Sequence, residues 1–139
     1  DIEDDGGKKS QFKRWIDVVN ADFKARMDWC VASNVADANH QPKAKIAGAL
    51  NRIVSPGETI QLDASASTDP DGNTLTYKWW QYHEADSAKA KVAIANSSSK
   101  TASFVVPKES GKELHLILEV IDDGKPALTH YQRLICEIK

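Results

Sequence analysis

Apolar and polar residues alternate through most of the chain after Pro42. A period of two places successive side chains on opposite faces of a β-strand, so each alternating segment predicts a half-buried strand. Turn residues such as Pro56, Gly57 and Gly72 separate the segments. We predict about seven strands and no internal repeat, which favours an all-β sandwich. The predicted strands span residues 43–50 with a continuation at 52–54, 58–64, 74–82, 92–94, 101–106, a long strand around 114–120, and 128–138.

A helical period precedes the strands. Apolar residues recur at three- and four-residue steps from about Gln11 to Ala32, namely Phe12, Trp15, Ile16, Val19, Phe23, Met27 and Cys30. This spacing predicts one amphipathic helix, or two short ones divided near Asn20 or Asp22, with Ser10 as the N-cap. Asp22 is placed to pair with Arg26 one turn later. Residues 1–10 are acidic and lack periodicity, so we expect a disordered lead-in.

The apolar face of this helix needs a partner, and two alternatives are open. The face packs onto the rest of this chain, or it packs against an upstream domain that is absent here. The chain opens at Asp1 without a signal peptide, so we expect a mature product or an excised fragment.

Composition excludes several classes of function. The chain of 139 residues is long enough for one domain with a core, and its net charge of −2 provides no basic field for nucleic acid. No apolar run approaches the roughly 20 residues of a membrane span. Cys30 and Cys136 are too few for a zinc site or a disulfide framework. They are two buried free thiols, or they form a single bridge.

The sequence carries no catalytic pattern that we recognise. The four histidines have no metal-ligand spacing, and there is neither a nucleophile elbow nor a glycine-rich phosphate loop. Alternation places His115 on the outer face of its strand, where we expect a solvated side chain. We therefore expect this fragment not to be an enzyme.

An aromatic strand over residues 74–82 provides the first candidate site. Leu75, Tyr77 and Trp79 share one face, which we assign to the core, whereas Lys78, Trp80 and Tyr82 share the other. Exposed aromatic rings stack on the flat C–H faces of sugars, so Lys78, Trp80 and Tyr82 predict a carbohydrate-binding surface. Ile117 and, in one register, Tyr131 and Ile135 extend this face on neighbouring strands. The alternative is that the helix covers the patch, with Trp15 and Phe23 docking on it.

Paired carboxylates provide the second candidate site. Asp69 and Asp71 lie on the turn before the aromatic strand, and Asp122 and Asp123 end a strand that we expect beside it. Calcium prefers about six to eight oxygen ligands of this kind. The alternative is that Asp69 and Asp71 only cap their own turn by accepting backbone N–H groups.

Several runs resemble the polycystic kidney disease (PKD) domain family, which are immunoglobulin-like sandwiches common in secreted bacterial hydrolases: residues 57–65, 67–72, 77–79 and 120–124. Other runs are similar to the C-terminal part of a bacterial family of cellulose-binding proteins, in which a nucleoside-hydrolase-like domain precedes a PKD-like domain: residues 25–30, 39–42 and 79–82. The resemblance covers nearly the whole chain from about Phe12.

The resemblance implies an immunoglobulin/PKD-like sandwich over residues 39–139, with residues 11–33 as a helical segment joining an absent nucleoside-hydrolase-like domain. It implies a non-catalytic module that binds cellulose or another polysaccharide within a secreted or periplasmic bacterial protein. The alternative is a calcium-stabilised spacer or protein-interaction module. Some PKD domains bind calcium at positions that match Asp69, Asp71, Asp122 and Asn39, so the resemblance implies these four as ligands.

Overall fold

The computed structural model describes residues 3–4 and 9–139, with side chains described from Lys13 onward. Strands β1 (Glu3–Asp4) and β2 (Lys9–Ser10) pair antiparallel. The other residues of the expected lead-in over 1–10 lie outside the described residues. A 3₁₀ helix (Gln11–Arg14) leads into helix α1 (Ile16–Val31), and a second 3₁₀ helix (Val35–Asp37) follows.

Two stacked sheets form the rest of the described chain, which confirms the predicted seven-stranded sandwich. The four-stranded sheet has the order β3 (Asn51–Val54), β9 (Thr129–Ile138), β8 (Lys112–Asp122), β5 (Leu75–Gln81). The three-stranded sheet has the order β4 (Thr59–Asp63), β7 (Thr101–Val105), β6 (Ile94–Ala95). Neighbouring strands are antiparallel except β3 and β9, which are parallel.

The core lies between the sheets and follows the predicted alternation. Leu114, Leu116, Leu118 and Val120 of β8 are fully buried. Trp79 is buried with them, and its indole N–H donates to the carbonyl of Ser99 at 3.1 Å. The inward face of every long strand was therefore predicted correctly from the period of two.

The strand predicted over residues 43–50 was wrong in its backbone pairing. Its side chains do alternate, with Ala44 and Ile46 buried, but the segment has only one β-bridge in the described chain, between Lys43 and Thr68. Three consecutive N–H groups of the segment donate to side chains instead, whereas those of Lys43 and Ala47 donate to the backbone carbonyls of Thr68 and Asp63. The bonds to side chains run from Ala44 to His130 Nδ1, from Lys45 to Ser67 Oγ and from Ile46 to Gln132 Oε1. Polar side chains thus replace the neighbouring strand, and a hydrophobic pattern carries no signal of that exchange.

The predicted helix is confirmed as the single-helix alternative, with a correction at its start. Helix α1 is continuous through Asn20 and Asp22, and its N-cap is Trp15 rather than Ser10. The predicted Asp22–Arg26 ion pair is present at 2.7 Å. Among the described residues, no helix is both long and apolar enough to cross a membrane.

Two side chains lie in surroundings other than those expected. Cys30 and Cys136 are both free, but Cys30 is exposed and Cys136 alone is buried. His115 is buried rather than solvated, because residues 82–88 fold back over the start of β8. Tyr82 N–H donates to the His115 carbonyl at 2.7 Å, and His115 N–H donates to Asp86 Oδ1 at 2.6 Å.

Candidate functional site

A groove of about 570 Å³ lies between the start of α1 and the outer face of the four-stranded sheet. We call it the aromatic groove. Its lining includes three aromatic side chains and several charged ones: Trp15, Trp80, Tyr131, Arg14, Asp17, Lys78 and Glu119. It contains two of the three residues predicted to bind carbohydrate, Lys78 and Trp80.

Strand register explains why these residues meet. Lys78 on β5 lies opposite Glu119 on β8, and Glu119 lies opposite Tyr131 on β9. Directly opposed residues project from the same face of an antiparallel sheet, so the three form one row across its outer surface. Trp80 lies two residues further along β5 and therefore shares that face.

Trp15 closes the groove from the helical side. Its ring centroid lies 6.0 Å from that of Trp80 with a tilt of 40°, and 5.0 Å from that of Tyr131 in an edge-to-face contact. The predicted cover by Trp15 is thus present, whereas Phe23 is 64% exposed and takes no part in it. Tyr82 meets Trp80 edge-on at 5.8 Å, so it supports the indole from the side.

Charged groups hold the indole of Trp80 in place. Its N–H donates to Glu119 Oε2 at 3.2 Å, and Lys78 Nζ lies 3.9 Å from the same carboxylate oxygen. The Arg14 guanidinium carbon lies 5.8 Å from the ring centroid of Trp80, within the range of a cation–π contact. Arg14 also pairs with Glu84 at 2.6 Å, and this hydrogen bond lowers the pKa of Glu84.

Tyr131 remains a neutral hydrogen-bond donor over the whole physiological range. Burial, and secondarily the negative charge of Glu119, raise the pKa of Tyr131 to about 12. Sequence reasoning named Tyr131 only as a neighbour in one possible register and did not name Glu119 as a site residue. Because Glu119 occupies an outward position on a strand whose inward residues were identified, the alternation itself contained the signal for it.

The second candidate site lies where β5 begins and β8 ends, and we call it the acidic pole. Leu75 is paired with Asp122 in the sheet, which brings the two acidic turns together. Asn39 is buried between them. Its Nδ2 lies 3.1 Å from both carboxylate oxygens of Asp122 and 2.8 Å from the Pro126 carbonyl, while its Oδ1 accepts from Asn73 Nδ2 at 2.7 Å.

The carboxylates of the acidic pole act as acceptors for nearby N–H groups. Asp69 Oδ1 accepts from the backbone of Asp71 at 2.9 Å and of Asn73 at 3.0 Å. Asp71 accepts from the His40 backbone at 2.6 Å, and its other oxygen lies 2.9 Å from the His40 ring nitrogen Nδ1. The turn-capping alternative therefore describes Asp69, whereas Asp71 ties the turn to His40.

The carboxylates of Asp122 and Asp123 also accept hydrogen bonds from backbone N–H groups. Asp122 Oδ1 accepts from the backbone of Gly124 at 2.9 Å and of Leu128 at 3.0 Å. Asp123 Oδ1 accepts from the backbone of Thr74 at 2.8 Å. These bonds connect the end of β8 to the loop that follows it and to the start of β5.

The four predicted calcium ligands at the acidic pole have other hydrogen-bond partners in this arrangement. Within the described chain, no three His, Cys, Asp or Glu side chains lie close enough together to hold a metal ion. At the acidic pole, Asp69 Oδ2 is a buried oxygen without a hydrogen-bond partner. Calcium takes about six to eight oxygen ligands, so this atom alone would not suffice. A bound ion would require Asn39 and the carboxylates to release some of their present partners.

Comparisons with known proteins identify the family. The model described as cellulose-binding protein Sde0182, C-terminal domain, matches residues 59–138, which is more than half of the chain. The chain is 39% identical to a nucleoside hydrolase-related hypothetical protein from Saccharophagus degradans that is described as associated with carbohydrate metabolism. The two superpose with a TM-score of 0.91 over 96% of this chain and 34% of that chain. This chain therefore spans about a third of that relative.

A second solved structure is less similar to this chain. The solution structure of the PKD domain from KIAA 1837 protein matches with a TM-score of 0.48 and 16% identity, over 70% of this chain and 89% of that chain. None of the curated proteins matches the chain significantly. The family match agrees with the expectation that this fragment is a non-catalytic module. On the match over residues 59–138, the chain belongs to the family of the C-terminal domain of cellulose-binding protein Sde0182.

Proposed function

We propose that this chain is a non-catalytic polysaccharide-binding module of an exported bacterial protein, with cellulose as the first candidate ligand. The name of the family and the relative's association with carbohydrate metabolism support the class of ligand. The similarity to about a third of a nucleoside hydrolase-related protein supports a longer polypeptide with a hydrolase-like domain. The single observation that carries the proposal is the aromatic groove, because it is concave and presents indole rings beside charged groups.

The chemistry of the groove suits a sugar. Indole and phenol rings supply apolar surface for the C–H faces of a pyranose ring, and the hydroxyl groups around that ring need polar partners. Glu119 is an acceptor, Lys78 is a donor at the exposed rim, and Tyr131 is a neutral donor. The volume of about 570 Å³ falls in the range of roughly 300–1,000 Å³ that is typical of ligand sites.

The shape of the groove favours single glucan chains over crystalline surfaces. A crystal face of cellulose is flat and needs a coplanar row of exposed rings. Here Trp15 lies over Trp80 and Tyr82 stands at 77° to it, so these rings do not form a flat platform. A soluble chain or a loose chain end can instead enter from the open side, where Lys78 is exposed.

Calorimetric titration with cellohexaose tests the proposal. We expect saturable binding by the native fragment and a loss of about tenfold or more in affinity for Trp80→Ala. Trp29→Phe is the matched control, since Trp29 lies outside the groove and the substitution retains an aromatic ring stacked on His40. Absence of binding to cellohexaose and to amorphous cellulose would refute the function, and equal binding by Trp80→Ala would refute the site.

The second candidate function is a calcium-stabilised spacer or interaction module. The observation that favours it is the buried, partnerless Asp69 Oδ2 among the carboxylates of the acidic pole. Millimolar calcium should then raise the melting temperature, magnesium should not, and Asp71→Ala should abolish the increase. An unchanged melting temperature at millimolar calcium would end this alternative.

A further inference from the structure

Helix α1 carries a stripe of apolar side chains on the face that points away from the sandwich. Val19, Phe23 and Met27 are 46%, 64% and 47% exposed, and Cys30 is exposed beside them. Their spacing of four, four and three residues places all of them on one side of the helix. We call these four residues the apolar stripe.

The opposite side of α1 is the one that contacts the sandwich. Ala25 is fully buried, and the Trp29 indole donates to the Asn39 carbonyl at 2.7 Å and stacks on His40 at 5.4 Å. The residues that the sequence predicted to be buried are therefore largely the exposed ones. Packing onto the rest of this chain, as one alternative held, accounts for Trp15 but not for the apolar stripe.

Two more apolar side chains are exposed at and just beyond the end of the helix. Val31 and Val35 are 81% and 77% exposed. Single exposed apolar side chains are ordinary, but contiguous ones mark interaction surfaces. The four residues of the apolar stripe share one helix face, and such a face calls for a partner.

The polar residues bordering the stripe indicate what kind of partner fits. Lys24 pairs with Asp28 at 2.9 Å, and Arg26 pairs with Asp22 at 2.7 Å. The charges on both sides of the stripe are thus neutralised by ion pairs within the helix. A partner would be recognised through apolar contact rather than through complementary charge.

The position of the helix in the longer relative indicates the occupant. The family model covers residues 59–138 and describes a C-terminal domain, so α1 lies ahead of that domain. The chain covers 34% of the Saccharophagus degradans relative, and the description of the family as a C-terminal domain is the reason for placing the remaining length of such a protein ahead of the module. Helix α1 then stands where the two parts of such a polypeptide join.

We infer that the apolar stripe of α1 is the docking face for the domain that precedes this module in the longer polypeptide. This inference uses one part of the proposed function, namely that a further domain precedes the module in a longer polypeptide. A tethered partner acts at an effective concentration on the millimolar scale, so one helix face can hold it without a large interface. Contacts of this kind between domains of one chain typically bury roughly 600–1,500 Å².

Cys30 provides a direct probe, because it is part of the stripe. Cys136 is fully buried, and burial raises the pKa of its thiol to about 11, so a mild alkylating reagent distinguishes the two. The rate of Cys30 alkylation is measured by peptide mass spectrometry in this fragment and in the protein translated from the complete reading frame. We expect rapid modification in the fragment and protection of about tenfold or more in the complete protein.

Paired substitutions make the assignment specific. Phe23→Ser combined with Met27→Ser should restore Cys30 alkylation in the complete protein. Ile53→Thr is the control, since Ile53 is 69% exposed on β3 and lies outside the stripe. These changes are on the surface, so circular dichroism and cellohexaose binding of the fragment should not change.

Three results would overturn the inference. The first is equal alkylation of Cys30 in the fragment and the complete protein. The second is a fragment that is dimeric by analytical ultracentrifugation with Cys30 already protected, which assigns the stripe to a second copy. The third is a complete reading frame without a preceding domain. Cellohexaose binding and Cys30 alkylation are separate measurements. The proposed glucan site can therefore be refuted without refuting the docking face, and the reverse also holds.

Discussion

The indole of Trp15 lies 6.0 Å from the indole of Trp80 and meets the ring of Tyr131 edge-on at 5.0 Å. Trp15 precedes α1, whereas Trp80 and Tyr131 are on two strands of the sandwich. One side chain therefore joins the helical segment to the sheet and forms a wall of the aromatic groove. Under the proposed function, Trp15 therefore contributes both to the stability of the fold and to the binding site.

Trp15→Ala should affect both properties. Aromatic pairs contribute about 0.5–1.5 kcal/mol each beyond their buried area, so the loss of two contacts should lower the free energy of unfolding by about 2 kcal/mol. Cellohexaose affinity should also fall, because one wall of the groove is removed. Urea unfolding and calorimetry provide the two measurements, and tighter binding by the variant would show that Trp15 covers the site rather than forms it.

Asn39→Ala should be among the most destabilising polar substitutions in this domain. The buried amide of Asn39 bonds to Asp122, Pro126 and Asn73. Its removal leaves a buried carboxylate and a carbonyl without that donor, at a cost of about 3 kcal/mol. Denaturant unfolding measures the loss. Asn51→Ala, at an exposed position on β3, should change stability by less than about 0.5 kcal/mol, and equal effects would contradict the bridging role.

Gly124→Ala should be destabilising for a reason that depends on Asn39. A Cβ atom at Gly124 would lie 2.2 Å from Asn39 Cγ, which is far inside van der Waals contact. The same substitution should cost much less in an Asn39→Ala background, where that side chain is gone. A double-mutant cycle by urea unfolding should therefore give a coupling energy of about 1 kcal/mol or more, and simple additivity would contradict the steric explanation.

The fold should lose stability as the pH falls through the range in which His130 titrates. Burial lowers the pKa of His130 below its ordinary value of 6.5, and its Nδ1 accepts the backbone N–H of Ala44 at 3.1 Å. The unfolded chain therefore binds more protons in this range, and stability falls as the pH drops through the unfolded pKa of 6.5 toward the lower pKa of the folded state. His130→Asn retains an acceptor but does not titrate.

Urea midpoints across this pH range measure the effect. The variant should have a smaller pH slope than the native protein. Equal slopes would assign the pH dependence to other groups.

The two thiols should differ sharply in reactivity. Cys136 is buried, and its thiol pKa is raised to about 11, whereas Cys30 is exposed. We expect one thiol equivalent to react with a chromogenic disulfide reagent in the native fragment and two in denaturant. The intact mass should be the same with and without reductant. A mass that rises by two hydrogens on reduction would show that the two cysteines form a bridge.

The period of two was sufficient to predict the sandwich, because inward residues such as Leu116 and Leu134 satisfy the pattern wherever their strands pair. It could not show how the segment around Ala44 and Ile46 pairs. Those residues alternate like a strand, yet their N–H groups bond to His130 and Gln132. A hydrophobic pattern reports the burial of side chains and not the partners of the backbone.

The same limit explains the helix. Its period correctly predicted one apolar face, but a sequence does not say which surface that face meets, and Val19 and Phe23 are exposed here. The aromatic groove was predicted in part. Lys78 and Trp80 were named from alternation, whereas Trp15 reaches the site only through tertiary packing of a separate element.

The order of the four-stranded sheet has a consequence for biosynthesis. Strand β9, which ends at Ile138, lies inside the sheet between β3 and β8, and β3 pairs with it in parallel. Until this ten-residue strand has left the ribosomal exit tunnel, β3 lacks this neighbour and one edge of β8 stays open. The domain therefore cannot complete its folding before β9 has been translated, and a nascent chain stalled shortly before residue 129 should remain sensitive to protease.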